Sequence, residues 1–329
     1  MTGYKKVEQA IINDSALSHE EQQKALANLA KYRDKKANIL IIGATGAGKS
    51  STINAMFNME VAKVGVGVGP ETMQIKKFEL DNLTLWDSPG LGDSSENDEQ
   101  HKRNIIDLLA KKDENGNLLV DVVLLLLDGK SKDLGTSYEL VTNVIIPCIG
   151  EHKRLLIGIN QVDALLNGKY WDYQNNKPLA PLQEKINEKV KSISERIFET
   201  TGVKVTPIAY SAGYKESGQS QEKSYNVSTL LCHLIDKIPE EKRVSVVSNS
   251  NETSWSRDDD GGSIFGFPGL LVGGAAFLAL DGLETVTDFG FDVLDTATDV
   301  VFDVADTAVD IVSDTFEFVG DIIGSLFDW

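Results

Sequence analysis

Nine residues near the start of the chain have the types and spacing of a phosphate-binding loop. Residues 43–51 match the pattern G-x-x-x-x-G-K-[ST], between an apolar strand pattern at residues 38–42 and a helical pattern. Glycines let such a loop turn tightly and aim several backbone N–H groups at one anion. The pattern predicts that Lys49 reaches the β- and γ-phosphates of a nucleotide and that Ser50 ligates Mg²⁺. The predicted nucleotide-contacting residues of this loop are Gly43, Ala44, Thr45, Gly46, Ala47, Gly48, Lys49, Ser50 and Ser51.

A second motif follows a β-type run at residues 83–87. It reads Asp87-Ser88-Pro89-Gly90, which has the form D-x-x-G. The acid stands at the tip of the strand, where a Mg²⁺-bound water needs an anion, and Gly90 can bring its backbone N–H to the γ-phosphate. We therefore predict Asp87 as a metal-site residue, and Gly90 with Lys49 as catalytic-site residues.

Two later motifs predict recognition of a guanine base. Residues 160–163, Asn-Gln-Val-Asp, follow an apolar strand pattern and have the form N-K-x-D, with Gln161 in place of Lys. The Asp163 carboxylate can accept hydrogen bonds from guanine N1 and N2, whereas adenine offers no such pair of donors. A further strand is predicted at residues 203–209. The motif after it, Tyr210-Ser211-Ala212, resembles the last guanine-binding loop, in which a backbone N–H meets the base O6. GTP is favoured over ATP, and the predicted base-contacting residues are Asn160, Gln161, Asp163, Ser211 and Ala212.

With these four motifs in this order, residues 37–238 resemble the P-loop GTPases of the translation-factor class, in the group that contains Era, EngA, YfjP and the septins. The resemblance implies a Ras-like α/β fold with a doubly wound, mostly parallel sheet. GTP or GDP and Mg²⁺ are the implied ligands, and GTP hydrolysis is the implied activity. It also implies a switch-loop Thr that closes over Mg²⁺ and the γ-phosphate, and Thr72 holds the matching position in the metal and catalytic sites. The alternative for Thr72 is a turn hydroxyl that bonds the local backbone.

Two departures from the family pattern bear on the rate of hydrolysis. Leu91 follows D-x-x-G where Ras-type enzymes keep the Gln that orients the attacking water, and leucine cannot hydrogen-bond that water. Gly46 stands where potassium-activated relatives such as TrmE carry Asn. We therefore expect slow intrinsic hydrolysis until a partner or a second copy of the chain completes the site. The loss of Lys at Gln161 is expected to weaken nucleotide affinity without changing the choice of base.

Composition and charge divide the chain into further segments. After Arg257 there is no Lys or Arg, while sixteen Asp or Glu follow and account for most of the net charge of −18. Acids from Asp288 onward recur with a spacing that repeats every 11 residues, which places them on one stripe of a long helix. We expect five segments in this order: an N-terminal helical segment (1–36), a nucleotide-binding domain (37–240), a polar linker (241–262), a Gly-rich apolar segment (263–287) and an acidic-striped amphipathic helix (288–329).

The C-terminal segments leave several roles open. Residues 261–280 are near the lower length limit for crossing a bilayer, but Pro268 and the glycines favour an interfacial or protein-buried hairpin. The helix beyond them needs cover from its own domain, an oligomer, a partner or a membrane. Its lack of basic residues weighs against anionic lipid and against RNA binding by the tail.

Two functions follow as hypotheses from these segments. The first is a GTP-controlled switch that governs self-assembly or association with a membrane or partner through the tail. The second is a ribosome- or RNA-associated maturation GTPase of the Era or EngA type. Two Cys residues without metal-type spacing, and an N-terminus without an apolar signal run, favour a cytoplasmic protein that associates peripherally with a membrane in the first hypothesis.

Overall fold

The computed structural model describes the body of the chain up to Asn251. The described residues are 3–13, 18–57, 59, 63–65, 75–90, 95–131, 134–149, 152–213 and 223–251. Thr72, Leu91 and the tail from residue 252 onward, including the predicted segments at 263–287 and 288–329, lie outside them. Among the helices of the described residues, none is both long enough and apolar enough to cross a membrane.

A seven-stranded sheet forms the centre of the body, in the order β2-β3-β4-β1-β5-β6-β9. β1 lies parallel to β4 and β5, β5 to β6 and β6 to β9, whereas β3 runs antiparallel to β2 and β4. β7 and β8 form a separate hairpin. The strands are Ala37–Gly43 (β1), Lys63–Gly65 (β2), Lys76–Glu79 (β3), Leu83–Asp87 (β4), Val122–Asp128 (β5), Leu155–Asn160 (β6), Trp171–Asp172 (β7), Lys177–Pro178 (β8) and Ile208–Ala209 (β9).

Near-continuous apolar runs explain why β1, β5 and β6 lie at the centre of this sheet. Every residue of β1 and β6 is buried, and so is all of β5 except Asp128 at its end. Strands that are covered on both faces read as unbroken apolar runs, because both alternating sets of side chains meet a helix layer. The predicted strand at 203–209 is wrong in length, since only Ile208–Ala209 pairs with β6. Pro207, which lacks an N–H donor, stands immediately before that pair.

Helices cover the sheet and alternate with its parallel strands. α4, α6 and α7 contribute to one large apolar cluster with β1, β5 and β6, while α3 and α8 contact each other, and α8 contacts β5 and β6. This arrangement is the doubly wound, Ras-like α/β fold that the sequence predicted. The helices are Gly3–Asn13 (α1), His19–Lys31 (α2), Lys49–Met56 (α3), Ser95–Ala110 (α4), Gly135–Leu140 (α5), Ile146–Ile149 (α6), Ala180–Thr201 (α7), Val227–Lys237 (α8) and Arg243–Asn249 (α9).

The polar linker predicted at 241–262 is wrong over its first residues, because α9 is part of the packed body. Val244, Val246 and Val247 are buried, and α9 contacts α1, β1 and β4. Val244 shares a small apolar cluster with residues of α1 and α2, which joins the N-terminal helices to the rest of the body. The polar residues that suggested a linker form hydrogen bonds within the body. Asn249, for example, accepts from the Asp81 backbone N–H and donates to the Asp81 carbonyl in the β3–β4 turn.

The last described residue, Asn251, is attached to the helix that follows the phosphate-binding loop. Its backbone N–H donates to Met56 O at 2.8 Å, and its side-chain amide donates to Asn54 O at 2.7 Å. Carbonyls in the last turn of a helix have no partner inside the helix. Asn251 binds three of them, since its side-chain amide also donates to Ala55 O at 3.2 Å, so the root of the tail is held at the C-terminal end of α3.

Candidate nucleotide-binding site

The phosphate-binding loop connects the end of β1 to the start of α3 at the carboxyl edge of the parallel strands. Gly46 and Gly48 both have a φ of +83°, a left-handed conformation that side chains disfavour. A Cβ atom on Gly48 would also collide with the Asn160 side-chain amide. Gly48 is the N-cap of α3 and makes no side-chain cap, so the first N–H groups of the helix face the loop. Such a helix start is suited to an anion.

Lys49 lies across this loop. Its ammonium donates to Gly43 O at 2.9 Å and to Ala44 O at 3.2 Å. Both acceptors belong to the predicted phosphate cradle, so the ammonium is positioned where phosphate oxygens are expected. Ser50 and Ser51 follow Lys49 in the first turn of α3, as the motif requires.

Asp87 ends β4 beside β1, where its register partner is Ile41. One carboxylate oxygen, Oδ1, is buried and has no hydrogen-bond partner among the described residues. Burial raises the pKa of Asp87, and the positive charges of Lys49 and Lys76 oppose this shift. A buried carboxylate oxygen without a partner is costly, and a hydrated divalent cation would satisfy it. Asp87 therefore fits the metal-site role that the sequence predicted for it.

Gly90 packs directly against the phosphate-binding loop. A Cβ atom at this position would lie 2.8 Å from Thr45 Cα and would collide with the Thr45 hydroxyl. Any larger residue would push the D-x-x-G segment away from the loop. The close approach places the Gly90 backbone beside the predicted phosphate site, as its proposed N–H contact needs.

Asn160 connects the two ends of the candidate site. Its side-chain amide donates to Ala47 O at 3.0 Å, and its Oδ1 accepts a hydrogen bond from the Ala212 backbone N–H at 3.0 Å. Asn160 is buried, so these two bonds satisfy an amide that has little access to water. The phosphate-binding loop and the last base-reading loop are thereby fixed to the same side chain.

Gln161 and Asp163 flank the position expected for the base. Gln161 Nε2 donates to Gly46 O at 2.7 Å and is thus also attached to the phosphate-binding loop. Asp163 Oδ1 is buried without a hydrogen-bond partner among the described residues. Ser211 is held by paired backbone hydrogen bonds to Tyr225. The structure therefore brings the predicted base-contacting residues to the edge of the sheet that carries the phosphate-binding loop.

Two residues that the motifs did not identify also contribute to this region. Thr52 Oγ1 donates to Gly48 O at 2.9 Å and lies 2.7 Å from the Tyr210 hydroxyl. Both residues are fully buried. Tyr210 opens the last base-reading motif, but the motifs assign no role to its side chain, and Thr52 is 158 positions away. Only the folded structure reveals this contact.

Three of the basic residues that precede the guanine-reading motif in the chain are Lys130, Lys132 and Arg154. Arg154 donates to the backbone carbonyls of Val120, Asp121 and Ile149, at the start of β6 and away from the site at its end. Lys130 is exposed, whereas Lys132 lies outside the described residues. Arg154 therefore connects the start of β6 to the segment before β5 and to the end of α6, at the opposite end of the strands from the phosphate-binding loop.

A Ras-like sheet with a phosphate-binding loop, D-x-x-G and two base-reading loops at one edge defines the class of P-loop GTPase domains. Residues 38–161 match the profile of a family described as 50S ribosome-binding GTPase. The match confirms the predicted resemblance, and the chain contains a P-loop GTPase domain, a class that binds GTP and GDP with Mg²⁺.

Individual relatives are similar over short segments. The chain is 34% identical over 128 residues to translocase of chloroplast 108 from Physcomitrium patens, a match that covers 37% of this chain and 12% of that protein. It is 38% identical over 74 residues to human septin-12, covering 18% of this chain and 20% of the septin. A crystal structure of a probable GTP-binding protein EngB matches with 19% identity and a TM-score of 0.37, over 61% of this chain and 98% of that one.

Proposed function

We propose that the protein binds GTP and GDP with Mg²⁺ and hydrolyses GTP slowly to GDP and phosphate. The observation that carries this proposal is the buried Asp163 Oδ1, which has no hydrogen-bond partner within the described part of the chain and lies beside a loop that Asn160 attaches to the phosphate cradle. A guanine base supplies the two N–H donors that this carboxylate needs, whereas adenine leaves the acid unsatisfied.

Each residue of the site has a defined task in this proposal. Lys49 and the N–H groups of the phosphate-binding loop hold the β- and γ-phosphates, and the Gly90 N–H meets the γ-phosphate. Ser50, Asp87 and Thr72 hold Mg²⁺, which neutralises charge on the phosphate oxygens when bound. Leu91 does not orient the attacking water, so hydrolysis in the isolated chain is slow.

The base assignment is tested by exchanging the reading group. Asp163→Asn is expected to lower GTP affinity at least tenfold and to raise affinity for xanthosine triphosphate, because the amide can donate where the xanthine oxygen accepts. Lys49→Ala is expected to lose most affinity for both nucleotides. Asp107→Asn, at an exposed acid on α4, is the matched control and is expected to retain wild-type affinities. Equal ATP and GTP affinities in the wild-type protein contradict the assignment of Asn160 and Asp163.

The biological role proposed here is a switch that controls self-assembly or association with a membrane or partner through the tail. The attachment of Asn251 to the end of α3 supports it, because α3 begins at Lys49 and its eight residues span about 12 Å. A change in the phosphate-binding loop thus reaches the root of the tail through one short helix. Light scattering and liposome flotation, each with GDP and with a non-hydrolysable GTP analogue, test this role. Equal behaviour with both nucleotides contradicts it.

A ribosome-associated role is the second candidate. The observation in its favour is the family description, which names binding to the 50S ribosome. Sedimentation with purified ribosomes in the same two nucleotide states separates the candidates. Nucleotide-dependent recovery with ribosomes, without flotation or self-association, supports the ribosomal role.

A further inference from the structure

The hydroxyls of Thr52 and Tyr210 form a buried hydrogen-bonded chain between the two ends of the nucleotide site. The Thr52 hydroxyl donates to Gly48 O at 2.9 Å, and its oxygen lies 2.7 Å from the Tyr210 hydroxyl. Because the single Thr52 hydroxyl proton is used on Gly48, the Tyr210 hydroxyl must donate to Thr52. The two hydrogen bonds therefore have one donor direction, from Tyr210 to Thr52 and from Thr52 to the phosphate-binding loop.

The backbone of Tyr210 is attached to both sides of the guanine-reading motif. Its N–H donates to Ile159 O at 2.9 Å, immediately before Asn160. Its carbonyl accepts from the Val162 N–H at 3.4 Å, immediately before Asp163. Tyr210 is also the residue that precedes Ser211. One residue thus holds the base-reading motif on its backbone and the helix of the phosphate-binding loop on its hydroxyl.

The fit around Tyr210 leaves little freedom for the ring. A Cβ atom on Gly158 would lie 2.8 Å from Tyr210 Cε1, so the ring packs against the bare backbone of β6. Burial also raises the pKa of Tyr210 well above its usual range, so the hydroxyl stays protonated and remains a donor. A phenylalanine would fill the same space, so packing alone does not require the hydroxyl.

We propose that Thr52 and Tyr210 are positioning residues that set the distance between the phosphate-binding loop and the guanine-reading loop. This inference rests on the proposed guanine-nucleotide function. The pair slows nucleotide dissociation and increases the preference for guanine, because Asp163 and the phosphate-binding loop can then bind the two ends of one nucleotide at the same time. Asn160 makes a second, independent connection between the same loops, so loss of the pair weakens the site without abolishing it.

Four variants of the full chain test the pair. Tyr210→Phe and Thr52→Val each remove one hydroxyl, their combination removes both, and Thr52→Ser keeps the hydroxyl. The readouts are the dissociation rate of fluorescent GDP and the preference for GTP over inosine triphosphate, which lacks the N2 amine that Asp163 reads. We expect each single loss to speed GDP dissociation about fivefold and to reduce the preference for GTP. The double variant should release GDP no faster than Thr52→Val, since both changes break the same pair of hydrogen bonds. Thr52→Ser should release GDP at the wild-type rate.

Thermal unfolding without nucleotide separates positioning from simple stability. Variants with lower melting temperatures but wild-type dissociation rates and base preference overturn the positioning role, because a purely structural bond affects folding alone. If the effects of the two single changes on GDP dissociation add up in the double variant, the two hydroxyls do not act as one hydrogen-bonded pair. A wild-type protein that binds no guanine nucleotide overturns the proposed function itself, so the two failures are distinguishable.

Discussion

At the scale of single residues, Gln161 is where the guanine-reading motif departs from its usual form. Its amide donates to Gly46 O at 2.7 Å, although the backbone of Gln161 has a left-handed φ of 63°. The usual Lys would add an aliphatic stem over the base and a charge near the phosphate-binding loop. Gln161 retains a contact to this loop without that charge, so we expect this difference to change the strength of nucleotide binding and to leave the reading of the base to Asp163.

Two substitutions at Gln161 therefore have opposite expected effects. Gln161→Ala removes the bond to Gly46 and is expected to weaken GDP binding about fivefold. Gln161→Lys is expected to bind GDP at least as tightly as the wild type. Calorimetric titration measures both, and the ratio of GTP to inosine triphosphate affinity serves as the internal control, because it should stay constant. A changed ratio would show that Gln161 itself reads the base.

At the scale of elements, one buried carboxylate joins β1, β5 and the turn that leads into α9. Asp121 accepts the Asn38 backbone N–H at 2.8 Å and the Lys242 ammonium at 2.7 Å, and its side chain is 4% exposed. Burial raises the pKa of Asp121, while the bond to Lys242 opposes this shift. Lys242 thus favours the ionised form of an acid that burial disfavours.

Lys242→Met removes this ammonium and keeps most of the aliphatic stem. We expect the free energy of unfolding at pH 7.5 to fall by about 2 kcal/mol, because a buried carboxylate loses its cation. Loss of the cation raises the folded-state pKa of Asp121 further. The loss of free energy of unfolding relative to the wild type is therefore full above the raised pKa of the variant and shrinks as the pH falls through that pKa. Urea unfolding over a pH series measures this. Lys185→Met, in an exposed pair with Glu188, is the control and should change stability by less than about 0.5 kcal/mol.

At the scale of the whole molecule, the limit of the folded body decides which truncations survive. α9 buries Val244, Val246 and Val247, so a chain that ends at Ile238 loses part of its core and is expected to unfold or aggregate. A chain that ends at Gly261 keeps α9 and Asn251 and should be a monomer that binds GTP. Gel filtration with light scattering and liposome flotation compare both with the full chain. A monomeric full-length protein that ignores lipid contradicts the proposed role of the tail in assembly or membrane association.

We also expect the rate of hydrolysis to depend on association of the protein with itself or with a partner. Because Leu91 cannot orient water, turnover per molecule is expected to be slow in dilute protein and to rise with protein concentration or with a partner. Phosphate release over a hundredfold range of concentration measures this, and the chain that ends at Gly261 tests whether the rise depends on the tail. Fast turnover that is independent of concentration would show that one chain holds a complete site.

The sequence by itself determined the class of fold and predicted the chemistry of the candidate site. Those signals are local, because a phosphate-binding loop needs glycines at fixed spacing and a strand buried on both faces needs an unbroken apolar run. The motifs around Lys49, Asp87 and Asp163 could therefore be found without coordinates.

Only the tertiary structure decided how these motifs are held together. The Thr52–Tyr210 contact spans 158 positions. The hydrogen bonds of Asn160 to Ala47 and of Asn251 to Asn54 also join residues more than a hundred positions apart. The polar composition of residues 241–251 predicted a linker, yet α9 is buried because α1 and the sheet offer its valines an apolar surface. Side-chain type sets which bonds a residue can form, but the folded chain decides which partner is near enough to form them.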